Sequence, residues 1–436
     1  MIMENKRPTW TSKYTFILAA IGSAVGLGNI WRFPYVMGKN GGAVFLLTFV
    51  FLVLTICFIP LLAELLFGKI TKKECIGAFE SVNPKFKVFG AMNPLNAVFI
   101  PSFYCVIGGW IVYYIFNSFT YLNKGDCGKY FTDFIQNPIA PCVCTVIFLF
   151  ICTFFVVKGI KKGIEFANKI MMPLFTVILI FLVCTAISLP GATAGIEYMF
   201  KPDFSKFNTD MVFDALGQAF FTLSCGTGAL LTYGSYVKED DNIAKSAYTI
   251  VFSNIAFSLL AGLMIFPAVF SFNLEPDSGA GLAFVTLPKV FAQLPCGEFV
   301  SFAFFILLFC ASVTSAVSMI EVPCATMVER YKMTRVKAGT ILFFVISFFA
   351  VLATLSFGIL GDFKLFNKTF FDFLDFTTSN VLLPLNSLIL CIIAGWFLKI
   401  KGQTFIKNKI LYNLFDIGLK YAVPIVLICL FIERLR

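Results

Sequence analysis

The sequence predicts an all-α, polytopic membrane protein built from two inverted five-helix repeats and one additional helix. Hydrophobic residues make up 59% of the 436 residues and charged residues 13%, and the mean hydropathy is +0.88. Soluble proteins average about 25% charged residues. Several apolar runs exceed the roughly 18 residues that indicate a membrane-spanning helix, and two of them carry glycine-rich interruptions at corresponding places. We therefore expect a single membrane domain over residues 1–436.

Eleven apolar runs, numbered spans 1–11 in chain order, are long enough to cross a membrane. They lie at about 14–37, 42–68, 89–118, 141–157, 164–189, 210–236, 242–272, 298–328, 337–357, 370–397 and 411–433. Spans 1–5 are predicted to form the first repeat, 14–190, and spans 6–10 the second, 210–397. Span 11, at 411–433, is the additional helix.

Positive charges gather on alternate connections between the spans, which predicts the orientation of the chain. The clusters are Lys6, Arg7 and Lys13 before span 1; Lys69, Lys72, Lys73, Lys85 and Lys87 after span 2; Lys158, Lys161 and Lys162 after span 4; Arg330, Lys332, Arg335 and Lys337 after span 8; and Lys399, Lys401, Lys407 and Lys409 after span 10. Such clusters favour the cytoplasmic side. The N-terminus is therefore predicted to be cytoplasmic and, because the number of spans is odd, the C-terminus outside. Arg434 and Arg436 in the tail run against this rule but are outnumbered.

Span 1 contains the stretch Gly22–Pro34, whose composition does not suit a continuous helix. Glycine weakens a helix by about 1 kcal/mol relative to alanine, and proline by about 3 kcal/mol. Backbone groups freed from a helix are tolerated in a membrane only where they line a polar cavity or are buried in protein. The stretch therefore predicts a break at residues 23–27, with carbonyl groups facing an ion or a substrate. The alternative is a glycine-rich face for helix packing.

Span 6 carries a weaker copy of this stretch, Ser224–Gly228. Each interrupted span opens a set of five, and because five is odd the second set must have the inverted topology. Paired broken helices at corresponding positions of two halves are the best sequence indication of a transporter's binding site.

Composition also limits the classes of function. The chain has no histidine, which excludes histidine-based catalytic triads and histidine metal sites. The net charge of +10 is explained by cytoplasmic loops, so no nucleic acid is expected as a partner, and no enzyme activity is expected. The alternatives to a transporter are a substrate-gated channel or a transport-inactive sensor of amino acids, and a membrane enzyme is more distant.

Three stretches resemble the neurotransmitter:sodium symporter family. Gly22–Pro34 with Asn40–Gly42 resembles its first-helix signature, Phe220–Gly228 its sixth helix, and Ala311–Ser315 its eighth. The resemblance covers spans 1–10 in order, and eleven spans are typical of the bacterial branch. It implies sodium-coupled symport of an amino acid by alternating access, in a protein of the plasma (inner) membrane.

The resemblance implies two sodium sites. Site one would use Ala24, Asn29, Thr222 and Asn254, together with the carboxylate of the substrate, and site two Gly22, Val25, Ala311, Thr314 and Ser315. Without the resemblance, Thr314 and Ser315 could instead bond preceding carbonyls of their own helix, which is common.

The resemblance also places a substrate site between spans 1, 3, 6 and 8. Its residues would be Ser23, Ala24, Gly26, Gly28, Ile100, Tyr104, Phe221, Thr222, Ser224, Thr227, Ser315 and Met319, with Tyr104 bonding the carboxylate and Phe221 as a lid. Monoamine carriers of the family have an acid at the position of Gly26, so glycine favours an amino acid. No charged side chain is among these residues, which favours a neutral one. Thr227 replaces a bulky aromatic residue and leaves room for an aromatic or large aliphatic side chain.

Gates and an anion site complete what the resemblance implies. Arg32 and Asp375 would form an outer gate, and Arg7, Trp10, Tyr236 and Glu329 an inner one; a chloride site would use Gln218, Thr222, Asn254 and Ser258. Chloride dependence stays undecided, because Phe49 replaces the tyrosine that completes the anion site, and Asp214 is the nearest alternative negative charge. The intramembrane acids Glu64 and Glu321 are predicted to be buried hydrogen-bonding residues, and Gly163 with Pro173 resembles a motif that lets span 5 unwind.

Overall fold

The computed structural model describes residues 7–274, 281–398 and 409–435. The predicted basic residues Lys6, Lys399, Lys401, Lys407 and Arg436 lie outside the described residues. Within the described ranges the chain is helical and contains no strand, so the predicted all-α membrane fold is confirmed.

The spans begin and end close to their predicted positions. Nine helices are long and apolar enough to cross a membrane in the described ranges, and they correspond to spans 2–5 and 7–11: Ala43–Thr71, Pro84–Asn117, Ala140–Val157, Ile160–Ile187, Ile243–Ser271, Gly297–Arg330, Arg335–Leu355, Phe370–Phe397 and Lys409–Glu433. Span 1 consists of two halves, Lys13–Ala24 and Gly28–Lys39, bent by 46°. Span 6 consists of Thr209–Thr222 and Ala229–Ser235. We call these halves 1a, 1b, 6a and 6b.

Both predicted breaks are confirmed. Half-helix 1a ends where Val25 takes extended torsion angles (φ −103°, ψ 98°). In span 6 the break is made by Ser224, Gly226 and Gly228, which have positive φ angles of 53°, 80° and 77°. Glycine reaches such angles without strain, which explains why two glycines stand in this short stretch.

Four connections contain helices where the sequence analysis expected only loops. They are Cys75–Val82, Cys127–Gln136, Ala192–Phe200 and Leu287–Phe291. Polar side chains cap the first two: Glu74 accepts from the N–H groups of Ile76 and Gly77, and Asp126 accepts from that of Gly128. The third packs against span 7 and the fourth against spans 7 and 8, so these helices cover the ends of the bundle.

Spans 3 and 8 form the centre of the protein. Their apolar windows are 83% and 78% buried, compared with 33% for span 5 and 39% for each of spans 4, 9 and 11. Small residues allow this packing: a Cβ on Gly109 of span 3 would lie 2.6 Å from the backbone nitrogen of Thr145 in span 4. Close backbone approach at small residues is a common way for membrane helices to associate. The broken spans 1 and 6 pack near this centre, and their breaks are therefore shielded from lipid.

Candidate functional site

One cavity of about 400 Å³ lies between the two helix breaks. It is lined by Ser23, Ala24, Gly26, Leu27, Gly28, Asn29, Ile100, Tyr104, Phe221, Thr222, Ser224, Thr227, Ser315, Met319, Ser379 and Leu383. The structure thus brings together all the residues predicted to bind substrate. None of these lining residues is charged.

Span 10 contributes two lining residues that the sequence analysis missed, Ser379 and Leu383. Both follow Asp375 at intervals of four residues, which places them on one face of a helix. Because Asp375 was already a candidate gate residue, this helical spacing could have identified them.

The two glycines of the first break let side chains of spans 3, 6 and 8 approach the backbone closely. A Cβ on Gly26 would collide with the hydroxyl group of Ser315 and would lie 3.2 Å from that of Tyr104. A Cβ on Gly28 would lie 2.9 Å from the ring of Phe221. The Tyr104 hydroxyl group accepts a hydrogen bond from the N–H group of Leu27 at 3.4 Å. Tyr104 is therefore directly beside the break, in reach of whatever binds there.

The residues of the predicted first sodium site are joined by hydrogen bonds between the two breaks. The side-chain nitrogen of Asn254 donates to the carbonyl oxygens of Ala24 at 3.0 Å and Thr222 at 3.2 Å. The side chain of Asn29 in turn donates to the Asn254 carbonyl at 3.4 Å. The side-chain oxygen Oδ1 of Asn254 is buried and has no hydrogen-bond partner among the described residues. A buried acceptor without a partner calls for an explanation, and a bound cation beside these carbonyl groups would provide one.

The residues of the predicted second site join spans 1 and 8. The hydroxyl group of Ser315 donates to the carbonyl oxygens of Gly22 at 3.2 Å and Ser23 at 3.3 Å. In the described ranges this hydroxyl group bonds span 1 and not its own helix, so the alternative interpretation does not apply to Ser315. The hydroxyl group of Thr314 does donate within its helix, to Cys310 at 3.0 Å and Ala311 at 3.1 Å, and its oxygen can still accept or coordinate. Val25 lies in the break and is fully buried.

The predicted anion-site residues lie together, but their amide donors are engaged. The side-chain nitrogen of Gln218 donates to the Gly28 carbonyl at 2.7 Å, and Ser258 accepts from the side chain of Asn29 at 2.8 Å. Phe49 packs its ring 4.9 Å from that of Phe33. Asp214 accepts from the side chain of Asn40 at 3.2 Å. Chloride therefore stays undecided.

A network that we call the N-terminal seal closes the end of the bundle where the N-terminal segment lies. It consists of Arg7, Trp10, Tyr236, Glu321, Glu329 and Arg335. Arg7 forms an ion pair with Glu329, and its guanidinium group lies 4.9 Å from the centre of the Tyr236 ring. The indole N–H of Trp10 donates to the Tyr233 carbonyl at 3.0 Å. All the residues predicted for the inner gate are thus brought together.

The seal extends further than predicted, because Glu321 is part of it. This carboxylate is fully buried and pairs with Arg335, while the Tyr236 hydroxyl group donates to it at 2.9 Å. Arg335 also donates to the carbonyl of Val156 in span 4 at 2.7 Å. Spans 4, 6, 8 and 9 therefore meet at one ion pair.

A lysine beside the seal anchors half-helix 6b. Lys72 donates to the backbone carbonyl of Val237, directly after that half-helix. Burial, together with the neighbouring charge of Lys69, lowers the pKa of Lys72.

The opposite end holds a cavity of about 490 Å³, the vestibule, which is lined by Arg32, Phe221 and Asp375 among others. Arg32 and Asp375 share it as predicted, yet no ion pair within 4.0 Å joins them in the described ranges. The guanidinium group of Arg32 instead lies 4.5 Å from the centre of the Phe221 ring. Phe221 therefore separates the central cavity from the vestibule.

Two other predicted features have clear structural positions. Glu64 of span 2 accepts a hydrogen bond from the N–H group of Gly226 at 2.6 Å, and Asn386 donates to the carbonyl of the same glycine at 3.0 Å. These two side chains therefore satisfy the backbone groups of Gly226 that the break of span 6 leaves free. At the start of span 5, Gly163 lies against the backbone carbonyl of Phe155 and leaves no room for a Cβ.

Comparisons with known proteins agree with this architecture. The model of the sodium:neurotransmitter symporter family matches residues 7–137 and 135–435. A sodium-dependent transporter of Bacillus subtilis (strain 168) is 38% identical over 397 residues, which cover 89% of this chain and 87% of that protein. One of Haemophilus influenzae is 34% identical over 467 residues and covers 100% of both chains. The crystal structure of MhsT in complex with L-phenylalanine has a TM-score of 0.90 and 40% identity, and the match covers 98% of this chain and 100% of that one.

Proposed function

Because this chain belongs to the sodium:neurotransmitter symporter family, whose members are sodium-dependent transporters rather than enzymes, we propose that it imports a neutral, hydrophobic or aromatic amino acid together with sodium. The observation that carries this proposal is the uncharged cavity between the two helix breaks. Freed N–H groups at such breaks attract an anionic group such as an α-carboxylate.

The shape of the cavity supports an apolar side chain on the substrate. Ile100, Met319 and Leu383 line it on the side of spans 3, 8 and 10, while Gly26 and Tyr104 stand beside the break in span 1. An amino acid would place its carboxylate at the break and its side chain among these apolar residues. The L-phenylalanine in complex with MhsT, which is 40% identical to this chain, supports an aromatic amino acid as the substrate.

Two sodium ions are proposed as co-substrates. One would bind among Ala24, Asn29, Thr222 and Asn254, where the unpartnered side-chain oxygen of Asn254 lies. The other would bind between Gly22, Val25, Ala311, Thr314 and Ser315, where spans 1 and 8 meet. Carbonyl groups of interrupted helices coordinate sodium in transporters of this kind.

Transport would proceed by alternating access. Sodium would hold spans 1 and 8 together while the N-terminal seal is closed and the vestibule is accessible. Substrate binding would then fix Phe221 over the cavity, and separation of the seal would release the substrate on the other side. We also propose that this other side is the cytoplasm and that the chain lies in the plasma (inner) membrane, on the basis of the positive charges around the seal.

The proposal is tested by uptake of labelled neutral amino acids into proteoliposomes, with and without an inward sodium gradient. We expect uphill accumulation of phenylalanine or of a large aliphatic amino acid that requires sodium. Asn29→Ala should abolish it, whereas the control Asn117→Ala should not. Asn117 is suited to this comparison because, in the described ranges, its side chain donates to the carbonyl of Tyr113, four residues earlier, at 2.9 Å and lies outside the cavity.

The other outcomes separate the alternatives. Flux only down the gradient of the amino acid would indicate a channel, and binding without flux a sensor. If no neutral amino acid binds at all, the substrate argument based on Gly26 and Tyr104 is wrong.

A further inference from the structure

Asn168 of span 5 carries a buried side-chain oxygen that accepts no hydrogen bond within the described ranges. Its side chain is 1% exposed, and its nitrogen donates to the carbonyl of Ile164, four residues earlier, at 2.9 Å. In the part of the chain that the structure describes, its oxygen Oδ1 has no hydrogen-bond partner. Leaving a buried acceptor unsatisfied costs about 1–3 kcal/mol, and an apolar side chain would avoid this cost. The oxygen therefore calls for a ligand.

This oxygen lies against residues of the second sodium site. A Cβ on Gly22 would collide with Asn168 Oδ1, and the same Cβ would lie 3.0 Å from the Cβ of Thr314. The carbonyl oxygen of Gly22 is held by the hydroxyl group of Ser315 at 3.2 Å. Spans 1, 5 and 8 thus meet around Gly22. Among the contacts just described, the acceptor without a partner is the Asn168 oxygen of span 5.

We propose that Asn168 completes the shell of the second sodium ion from span 5, with Oδ1 bound to the ion or to one water on it. The proposal rests on the second sodium site proposed above. Sodium is a hard cation that prefers uncharged oxygen donors of this kind when a full countercharge would be costly to bury. An amide oxygen adds a donor without adding a charge.

The position of Asn168 gives this ligand a further role. Glu165, less than one helical turn earlier, accepts a hydrogen bond from the backbone N–H of Thr11 at 2.7 Å, and Thr11 follows Trp10 of the N-terminal seal. The same turn of span 5 therefore contacts the sodium site and the segment that closes the seal. Sodium bound through Asn168 would hold this turn in place and keep the seal closed until the ion leaves.

The test measures sodium dependence in the full-length protein. Binding of labelled phenylalanine, or of the amino acid identified in the uptake assay, is followed against sodium concentration for the wild type, Asn168→Ala and Asn117→Ala. We expect Asn168→Ala to raise the half-saturating sodium concentration about tenfold, the scale seen when a supporting ligand of a metal is lost. The amino-acid affinity at saturating sodium should stay within about twofold of the wild type. Asn117 makes the same bond to the residue four positions earlier, so its variant controls for the loss of that bond alone.

A second measurement does not depend on transport. Sodium should raise the unfolding temperature of the purified wild type, because a ligand that binds the folded state stabilises it, and this increase should be smaller for Asn168→Ala. If Asn168→Ala does not fold, Asn168→Ser, which retains an oxygen, replaces it and should show a smaller shift in the same direction. Unchanged sodium dependence in the alanine variant overturns the proposal, as does an equal loss of amino-acid affinity at saturating sodium, which would indicate a general packing role. A wild type without any sodium response would instead overturn the proposed function.

Discussion

The two ends of the transport pathway are closed by different means. At the N-terminal seal two ion pairs, Arg7–Glu329 and Arg335–Glu321, connect spans and the N-terminal segment. At the vestibule one aromatic ring, Phe221, is covered by one cation, Arg32, at 4.5 Å. The first closure involves charges that are largely removed from water, and the second involves a single side chain beside a cavity.

This difference indicates which end of the pathway opens more easily. Removing one partner of a buried ion pair costs several kcal/mol, because the other charge is left buried and unpaired. A cation over an aromatic ring contributes only about 0.5–2 kcal/mol. The vestibule should therefore open and close without ligands, while the seal should separate only when the occupancy of the sodium and substrate sites changes. Variants at each end test whether the two closures differ in strength as described.

The largest effect is expected for Arg335→Ala. It leaves the fully buried carboxylate of Glu321 without its cation, and loss of one partner of a buried pair costs about 3–5 kcal/mol. We expect a lower unfolding temperature and alkylation of Cys324, a buried cysteine three residues after Glu321, detected by mass spectrometry.

Arg330→Ala provides the control, because Arg330 pairs with Glu80 at 2.8 Å and with Glu74 at 3.6 Å nearer the surface, where ion pairs contribute little to stability. If Arg335→Ala remains as stable as this control and Cys324 stays protected, the ion pair does not hold the seal.

A smaller effect is expected for Arg7→Ala. The side chains of Arg7 and Glu329 are 12% and 28% exposed, so the lost energy should lie between the surface and buried cases, at about 2 kcal/mol. That corresponds to about a 30-fold shift toward the state with an open seal. Sodium-driven accumulation should fall while the unfolding temperature changes little.

The double variant Arg7→Glu with Glu329→Arg tests whether charge complementarity is the cause. We expect it to recover part of the accumulation lost in Arg7→Ala. A double variant no better than the single one would mean that Arg7 acts through its contact with the Tyr236 ring instead.

The sequence was sufficient for the spans and the two breaks, because both depend on local chemistry. Apolar run length determines the spans, and closely spaced glycines together with polar residues mark the interruptions, as in Gly22–Pro34 and Ser224–Gly228. The family resemblance, which the comparisons confirm, supplied the residues of spans 3 and 8 that line the cavity. The roles of the predicted sodium and gate residues remain predictions.

The sequence does not show which side chains contact each other across helices. Arg335 was assigned to a loop cluster of positive charges, and only the packing of span 9 against span 8 reveals that it neutralises Glu321. Asn168 was not distinguished from any other polar residue in span 5, because its significance depends on the direction of one side-chain oxygen. The short helices after spans 2, 3, 5 and 7 were missed because they are stabilised by capping and by contact with the bundle rather than by a long apolar run.

The smallest effect is expected at the vestibule, for Arg32→Ala. Losing the cation above Phe221 should cost about 1 kcal/mol and accelerate dissociation of the bound amino acid about fivefold at saturating sodium. Arg32→Lys should be intermediate, because an ammonium group keeps the charge but not the planar contact with the ring. Asp375→Asn should change the dissociation rate less than either, since in the described structure Arg32 contacts Phe221 and not Asp375. If Asp375→Asn accelerates dissociation as much as Arg32→Ala, an ion pair must form once the amino acid is bound, and the two ends would then be closed by the same kind of interaction.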